Sequence, residues 1–515
     1  MGLVPEVPSH RTEAPSPQEG AFVVLDGTGL DADGVARLAD RLAEPAVPPS
    51  AYARAEHSWH TSRQLAASGR MYGRDTGVGA NRMVPVGDAD RAGQDLRLLR
   101  SHAGGIGALL PVRQVRAMLA VRANQVLAGG SGLQPAFVTA MVEALRLGVH
   151  PAVNEFGGLG TGDLTALGQT GLTLIGERPW LGGAMADPTD AAPAVPPPVV
   201  MGDGDALALM SSSALTLGQA ALVCHDMDIL LRASHAVAAL SLAAVSGSLE
   251  AYAAPVVEVR PYPGVRQAAA EVRRLLGVPD RPQVPSRRIQ DPFGFRAFPQ
   301  AHGPALEAAA ALGRILAVEV NCPSENPLIS QDGPGGSPAA YHHGGFFAAP
   351  VGLALDQLCL AVLHTARFSA ARLSHLGDPE ITGLRAFLAS GPAASSGMMI
   401  LEYSANSALA ELRAAASAPA SAGHSVVSRG LEEAASFASQ ATRQAARATD
   451  AYRLVLACEL VAAVRALRQH EAPLPAPVQS LLAQFARPLP SATEDRPLTA
   501  DVTSAAALLP ALAAL

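Results

Sequence analysis

Three long stretches of this chain, 219–246, 353–376 and 431–472, run without a glycine or proline. The first two are apolar on nearly every side, which predicts helices in the middle of a bundle rather than amphipathic surface helices. The third is the longest. Residues 23–26, bounded by Gly27, predict a short strand. From 31 to 176, modest helical patterns alternate with Gly and Pro breaks. Residues 1–20, rich in proline and polar side chains, predict a disordered leader. Loops are expected at 193–198 and 331–337, and the chain turns Pro-rich after Pro473. No internal repeat interrupts this order. The expected architecture is mainly α: a loop-rich N-terminal domain over 21–200, a central long-helix bundle over 201–472 and a C-terminal segment over 473–515.

Composition supports that picture. Of 515 residues, 49% are hydrophobic and 16% charged, a balance that suits a large helical core. The net charge is −7, and no basic cluster is interleaved with aromatics, which argues against nucleic acid as a partner. The chain contains no lysine, so pyridoxal-phosphate aldimines, lysine Schiff bases and Walker phosphate loops are excluded. Cys224, Cys322, Cys359 and Cys458 show no metal-ligand spacing and read as small buried hydrophobes. His342-His343 has no third ligand at metal spacing, so no metal site is expected. The most apolar run, 237–245, is short and broken by Ser241, and reads as a buried helix rather than a membrane span. No apolar signal core occurs near the N-terminus, and the chain reads as cytoplasmic.

The motifs narrow the chemistry. Met71-Tyr72-Gly73-Arg74-Asp75-Thr76-Gly77-Val78-Gly79, Ser101-His102-Ala103, Gly148-Val149-His150-Pro151, Gln290-Asp291-Pro292-Phe293-Gly294-Phe295-Arg296 and Ser324-Glu325-Asn326-Pro327-Leu328 occur in that order. Between the third and fourth stands Gly157-Gly158-Leu159-Gly160-Thr161-Gly162-Asp163-Leu164. Together these blocks resemble the aromatic amino acid ammonia-lyases and aminomutases, the histidine and phenylalanine ammonia-lyase family, over roughly residues 25–507. The resemblance implies the ammonia-lyase fold, with the N-terminal domain carrying the active-site loops. It also implies a homotetramer whose active sites each draw residues from three chains. The all-round apolar helices need such burial on their own account.

In that family an Ala-Ser-Gly triad closes into methylidene-imidazolone, MIO, an electrophile that captures the substrate amine. Here the triad is Gly160-Thr161-Gly162, in a loop one residue shorter than the family's Gly-Ser-Val-Gly-Ala-Ser-Gly-Asp-Leu. Threonine can lose its hydroxyl, but the alkene would carry an extra methyl where the amine attacks. Gly160 would make the turn floppier, and a deletion disturbs the strain that drives ring closure. The expectation is an ordinary Gly-rich turn into a helix beginning near Asp163, with no cofactor. The alternative is a threonine-derived ring.

The remaining roles follow from the resemblance. Tyr72 stands at the general base, and its pKa would have to fall from about 10 to work near neutrality. Arg296 stands at the guanidinium that binds the substrate carboxylate, a role its planar fork suits; a structural ion pair is the plainer reading. Phe293 replaces a tyrosine and loses a hydroxyl. Ser211 replaces an asparagine that helps hold ring and substrate, in a Ser-Ser-Ser run that reads as helical and suits close packing or a polar pocket. Phe346 falls where an asparagine is expected, which makes the pocket more apolar. His102 matches the substrate-selecting histidine of the histidine branch. Glu432 matches the pocket glutamate, and a carboxylate near the start of a long helix is equally what the helix dipole favours.

Three functions remain open. The first is a ring-free lyase-type enzyme acting on a carboxylate-bearing, amino-acid-derived small molecule in specialised metabolism. It would eliminate or add a leaving group better than ammonia, isomerise or cyclise. The second is an ammonia-lyase or aminomutase with a threonine-derived ring. The third is a non-catalytic binding homologue, which retention of Tyr72 and Arg296 disfavours.

Overall fold

The computed structural model describes residues 22–69, 71–87, 93–183, 194–282 and 288–515. The leader expected over 1–20 and Pro193 of the 193–198 loop lie outside them.

The bundle is built on three helices: Ala214–Ala244, Ala349–Leu376 and Ala438–Gln469. Each packs against the other two, and Phe298–Glu319 and Met399–Ser417 pack around them. Their alanines and leucines favour helix and leave small side chains at the contacts. Ala214–Ala244 is buried along almost its whole length, which accounts for its apolarity on every side. With the short helix before it, this segment is long and apolar enough to cross a membrane, as is Ala349–Leu376; the most apolar windows of the two are 94% and 56% buried inside the protein. Gly218 allows a close approach: a Cβ there would lie 2.8 Å from the backbone of Ala117 and Met118 in helix Val112–Leu127.

A saturated polar knot ties the centre together. Arg372 grips Glu459 at both ends, Nε to Oε1 at 2.6 Å and Nη2 to Oε2 at 2.8 Å. Ser241 and Ser369 donate to the same two carboxylate oxygens, each at 2.6 Å. Arg372 Nη1 donates to the carbonyl of Gly294 at 3.0 Å.

Among the described residues the sheets are four two-stranded pairs. Phe22–Val24 runs parallel to Glu44–Ala46, close to the expected strand. Ile106–Leu109, Val149–Pro151 and Leu328–Ser330 pair antiparallel with Asn154–Phe156, Trp180–Gly182 and Ala339–Tyr341. Cys224, Cys359 and Cys458 are buried and Cys322 is half-buried. Burial pushes the thiols up, to about 12 for Cys224 and Cys359 and about 11 for Cys322 and Cys458, which makes them inert at neutral pH.

Two sequence expectations need correction. The Ser211-Ser212-Ser213 run is not helical: it is the break between helices Asp205–Met210 and Ala214–Ala244. The last long helix starts at Ala438, not near 431, because Phe437 adopts a left-handed φ of 52°. Both breaks have the same cause. Ser212 O accepts from Asp163 N at 2.7 Å, and Phe437 N donates to Leu159 O at 2.8 Å. At each, contact with the 157–163 loop outweighs helix propensity.

Candidate active site

Tyr72 sits in a tight turn closed by Met71 N donating to Asp75 Oδ2 at 3.2 Å. Its hydroxyl accepts from Gly79 N at 2.7 Å, which leaves the phenolic proton free to move elsewhere. The ring meets His342 edge-on, with centroids 6.4 Å apart. Burial raises the phenol above its usual value, and the nearby Glu432 carboxylate raises it further; the Gly79 N–H and Arg82 pull the other way and lose. The fall in pKa that base catalysis needs is therefore not supplied within one chain.

Ser211 lies across a small cleft from Tyr72, with Arg74, Glu325 and Asn326 on the same walls. Ser211 Oγ accepts from Asn326 N at 3.2 Å, and Ser211 O accepts from Ser324 Oγ at 3.4 Å. Asn326 Oδ1 accepts from His343 N at 2.9 Å. Gly345 N donates to His343 Nδ1 at 2.8 Å, so Nε2 carries the proton and donates to Glu325 O at 2.7 Å. His343 thus pins the 321–328 loop to the loop carrying Phe346, whose ring centroid is 6.5 Å from its own.

The 157–163 loop is docked on every side. Gly158 O accepts from Ser439 Oγ and Gln440 Nε2, both at 3.0 Å. Gly160 O accepts from Ser436 Oγ at 2.5 Å and from Ala348 N at 3.3 Å. Gly160 has φ +81°, and a Cβ added there would lie 2.2 Å from Ser436 Oγ and 2.5 Å from Ala438 N. The turn is held by its surroundings rather than floppy, and it has no room for alanine. Gly162 also has positive φ, +107°. Thr161 is half-buried between them. Asp163 begins helix Leu164–Leu174. Its carboxylate accepts from Thr216 N at 2.8 Å and Thr216 Oγ1 at 2.9 Å, and burial raises it to about 6.

His102 ends helix Gln94–His102. Its Nδ1 lies 2.9 Å from Leu98 O, an acceptor only, so Nδ1 is the protonated nitrogen and Nε2 is left as an acceptor. Gly168, one turn into the helix that follows the loop, packs against its backbone. Glu432 is not at a helix start. It is exposed, bridged to Val427, and acts on Tyr72 through its charge.

Arg296 and Phe293 stand apart. They form the short helix Phe293–Arg296, with the guanidinium 4.5 Å over the Phe293 ring and Arg296 Nε buried without a hydrogen bond among the described residues. That helix is fastened to helix Ala349–Leu376 at Arg372, whereas Ala348, just before the helix begins, touches Gly160. At 1.5 Å per residue the two ends are roughly 35 Å apart. One chain therefore brings Tyr72, Ser211, Glu432 and the Gly160 turn to one end and Arg296 to the other.

Glu325, Arg122, Ser436, His343 and Asp163 carry the site's polar connections without having been singled out for a role. The available signal was weak: Glu325 stands where the resembling motif has aspartate. Among the described residues, no group of three His, Cys, Asp or Glu side chains is placed to hold a metal ion.

Comparison with known proteins agrees with the fold. The aromatic amino acid lyase family profile matches residues 30–487. Histidine ammonia-lyase from Geobacillus thermodenitrificans is 33% identical over 453 residues, 87% of this chain and 89% of that one. Histidine ammonia-lyase from Sorangium cellulosum is 32% identical over 498 residues, 94% of this chain and 97% of that one. Among solved structures, the ergothioneine-degrading enzyme ergothionase from Treponema denticola superposes with a TM-score of 0.83 at 25% identity, covering 96% of this chain and 99% of that one. Tyrosine aminomutase from Streptomyces globisporus superposes with a TM-score of 0.85 at 24% identity, covering 96% and 97%.

Proposed function

The chain belongs to the aromatic amino acid lyase family and is an enzyme of lyase type, and on that premise we propose that it works without the family's electrophilic ring. The observation that carries this reading is the Gly160 turn. At φ +81°, with Ser436 Oγ and Ala438 N in the space a Cβ needs, it does not fit the Ala-Ser-Gly precursor. Thr161 adds a methyl at the carbon where an amine would attack.

Without amine capture, free ammonia is too poor a leaving group to expel. The chemistry that remains is loss, or the reverse addition, of a better leaving group from a carboxylate-bearing, amino-acid-derived substrate. Isomerisation and cyclisation of such a substrate draw on the same groups. Tyr72 takes the proton from the carbon beside the one that bears the leaving group, and that group departs with its bonding electrons as the double bond forms. His102 Nε2 accepts an N–H from an imidazole-like side chain, in keeping with the histidine ammonia-lyase relatives. Ergothionase, a fold neighbour, extends the substrate class to imidazole derivatives beyond histidine.

Arg296 clamps the carboxylate, and it does so from another copy. It lies roughly 35 Å from the Gly160 turn of its own chain. A homotetramer in which helices of neighbouring copies abut supplies that arrangement. Outward-facing apolar residues, Leu353, Leu360, Ile400 and Leu454, give such contacts their surface. A neighbouring guanidinium would also add to the downward pull on the Tyr72 phenol, which within one chain burial outweighs.

One observation favours a second reading, a threonine-derived ring. Ser436 Oγ and Ala348 N both donate to the Gly160 carbonyl, which polarises the carbon that ring closure would attack.

Tyr72→Phe tests the role on which both readings depend. Assayed on a panel of imidazole amino acids that keep the primary ammonium and carry a leaving group better than ammonia, the variant should lose about 10²- to 10⁴-fold in turnover while staying folded. Unchanged turnover would remove Tyr72 from the chemistry.

A further inference from the structure

The cleft between Tyr72 and Ser211 holds a carboxylate that the chain does not use up. Glu325 is 2% exposed and Arg122 fully buried, with Arg122 Nη2 2.6 Å from Glu325 Oε1. The approach lies off the hydrogen-bonding line: among the described residues, neither carboxylate oxygen of Glu325 has a hydrogen-bond partner, and nor does Arg122 Nη1. Arg122 spends its good bonds on backbone, Nε to Leu209 O at 3.1 Å and Nη2 to Ala208 O at 2.5 Å. An ionised carboxylate can accept about four hydrogen bonds. A buried one left empty in an active-site cleft is a receptor awaiting donors. The space it lines beside Tyr72, Ser211 and Asn326 is about 20 Å³, which is room for one water-sized group.

We propose that Glu325 binds the primary ammonium of the substrate and holds it as a handle beside Tyr72. An ammonium is water-sized and brings several N–H donors, whereas a trimethylammonium is too large and brings none. The assignment rests on the reading that this cleft binds substrate, and it deepens that reading: with no ring to capture it, the nitrogen is bound rather than expelled. The receptor is rigid. Asn326 is pinned to Ser211, and His343 Nε2 donates to the Glu325 carbonyl at 2.7 Å. Glu325 is also one methylene longer than the aspartate of the motif it resembles, so its carboxylate extends further from that fixed backbone.

The test is equilibrium binding of two probes, L-histidine and imidazole-propionate, which differ by the amine. Each is titrated by calorimetry into the full-length protein and its Glu325→Gln and Glu325→Asp variants. Both variants should weaken L-histidine by about tenfold or more and change imidazole-propionate less than about twofold. Glu325→Asp restores the residue of the resembling motif, so it carries the test if Glu325→Gln does not fold. Unchanged L-histidine binding by a folded variant, equal weakening of both probes, or no binding of L-histidine by the parent protein would overturn the assignment and leave an ordered water as the occupant. No turnover is involved, so failure here leaves the ring-free reading standing. A ring found in the 160–162 turn would in turn leave the binding result readable.

Discussion

Two buried arginine–glutamate pairs sit in different parts of this molecule and are finished differently. At the centre of the bundle, Glu459 accepts four hydrogen bonds, two from Arg372 and one each from Ser241 and Ser369. At the cleft, Glu325 lies against Arg122 and accepts none from the described residues. Burial and charge are the same; saturation is not. A saturated pair fastens helices together. An unsaturated one beside a tyrosine and a serine is kept for something that arrives. Charged residues, 16% of the chain, thus mark both a joint at the centre of the bundle and the candidate site.

The comparison breaks most visibly at Glu459. Glu459→Gln should lower the free energy of unfolding by about 3–5 kcal/mol, because it strands a buried guanidinium and removes accepting capacity. Glu325→Gln should cost about 2 kcal/mol less, since it breaks no hydrogen bond. Equal losses in chemical denaturation would erase the distinction.

A third buried carboxylate sharpens it. Asp163 is hydrogen-bonded by Thr216 and feels Arg443 only through its charge, and burial outweighs both to lift it from 3.8 to about 6. Between those values the folded chain keeps a proton that the unfolded chain has released. Stability should therefore fall as pH rises from about 4 to about 6, by roughly 3 kcal/mol in all, and stay lower above that window. Asp163→Asn should flatten this fall. A slope that persists in the variant would assign it to another group.

The long helices were readable because uninterrupted apolar and alanine-rich sequence has few other ways to bury itself. What the sequence misread was local order that tertiary contacts override. Residues 431–437 look helical, yet Ser436 and Phe437 are drawn off to bond the Gly158–Gly160 turn. Ser211–Ser213 looks helical, yet it breaks to present Ser212 O to Asp163. Gly160 suggested looseness, whereas its missing Cβ makes room for Ser436. The motif blocks located Tyr72, Ser211 and the turn, but carried no sign that Arg296 ends up at the far end of a 28-residue helix. Sequence order does not say which end of a long helix a neighbour meets. Glu325 differed from the motif by one methylene, and only its burial and its empty acceptors give that difference weight.

The central claim is that the Gly160-Thr161-Gly162 turn stays an ordinary peptide, and the mass of a proteolytic fragment spanning it tests this most directly. The account predicts the unmodified mass. A fragment lighter by two waters would contradict it, since closing and dehydrating the ring removes both.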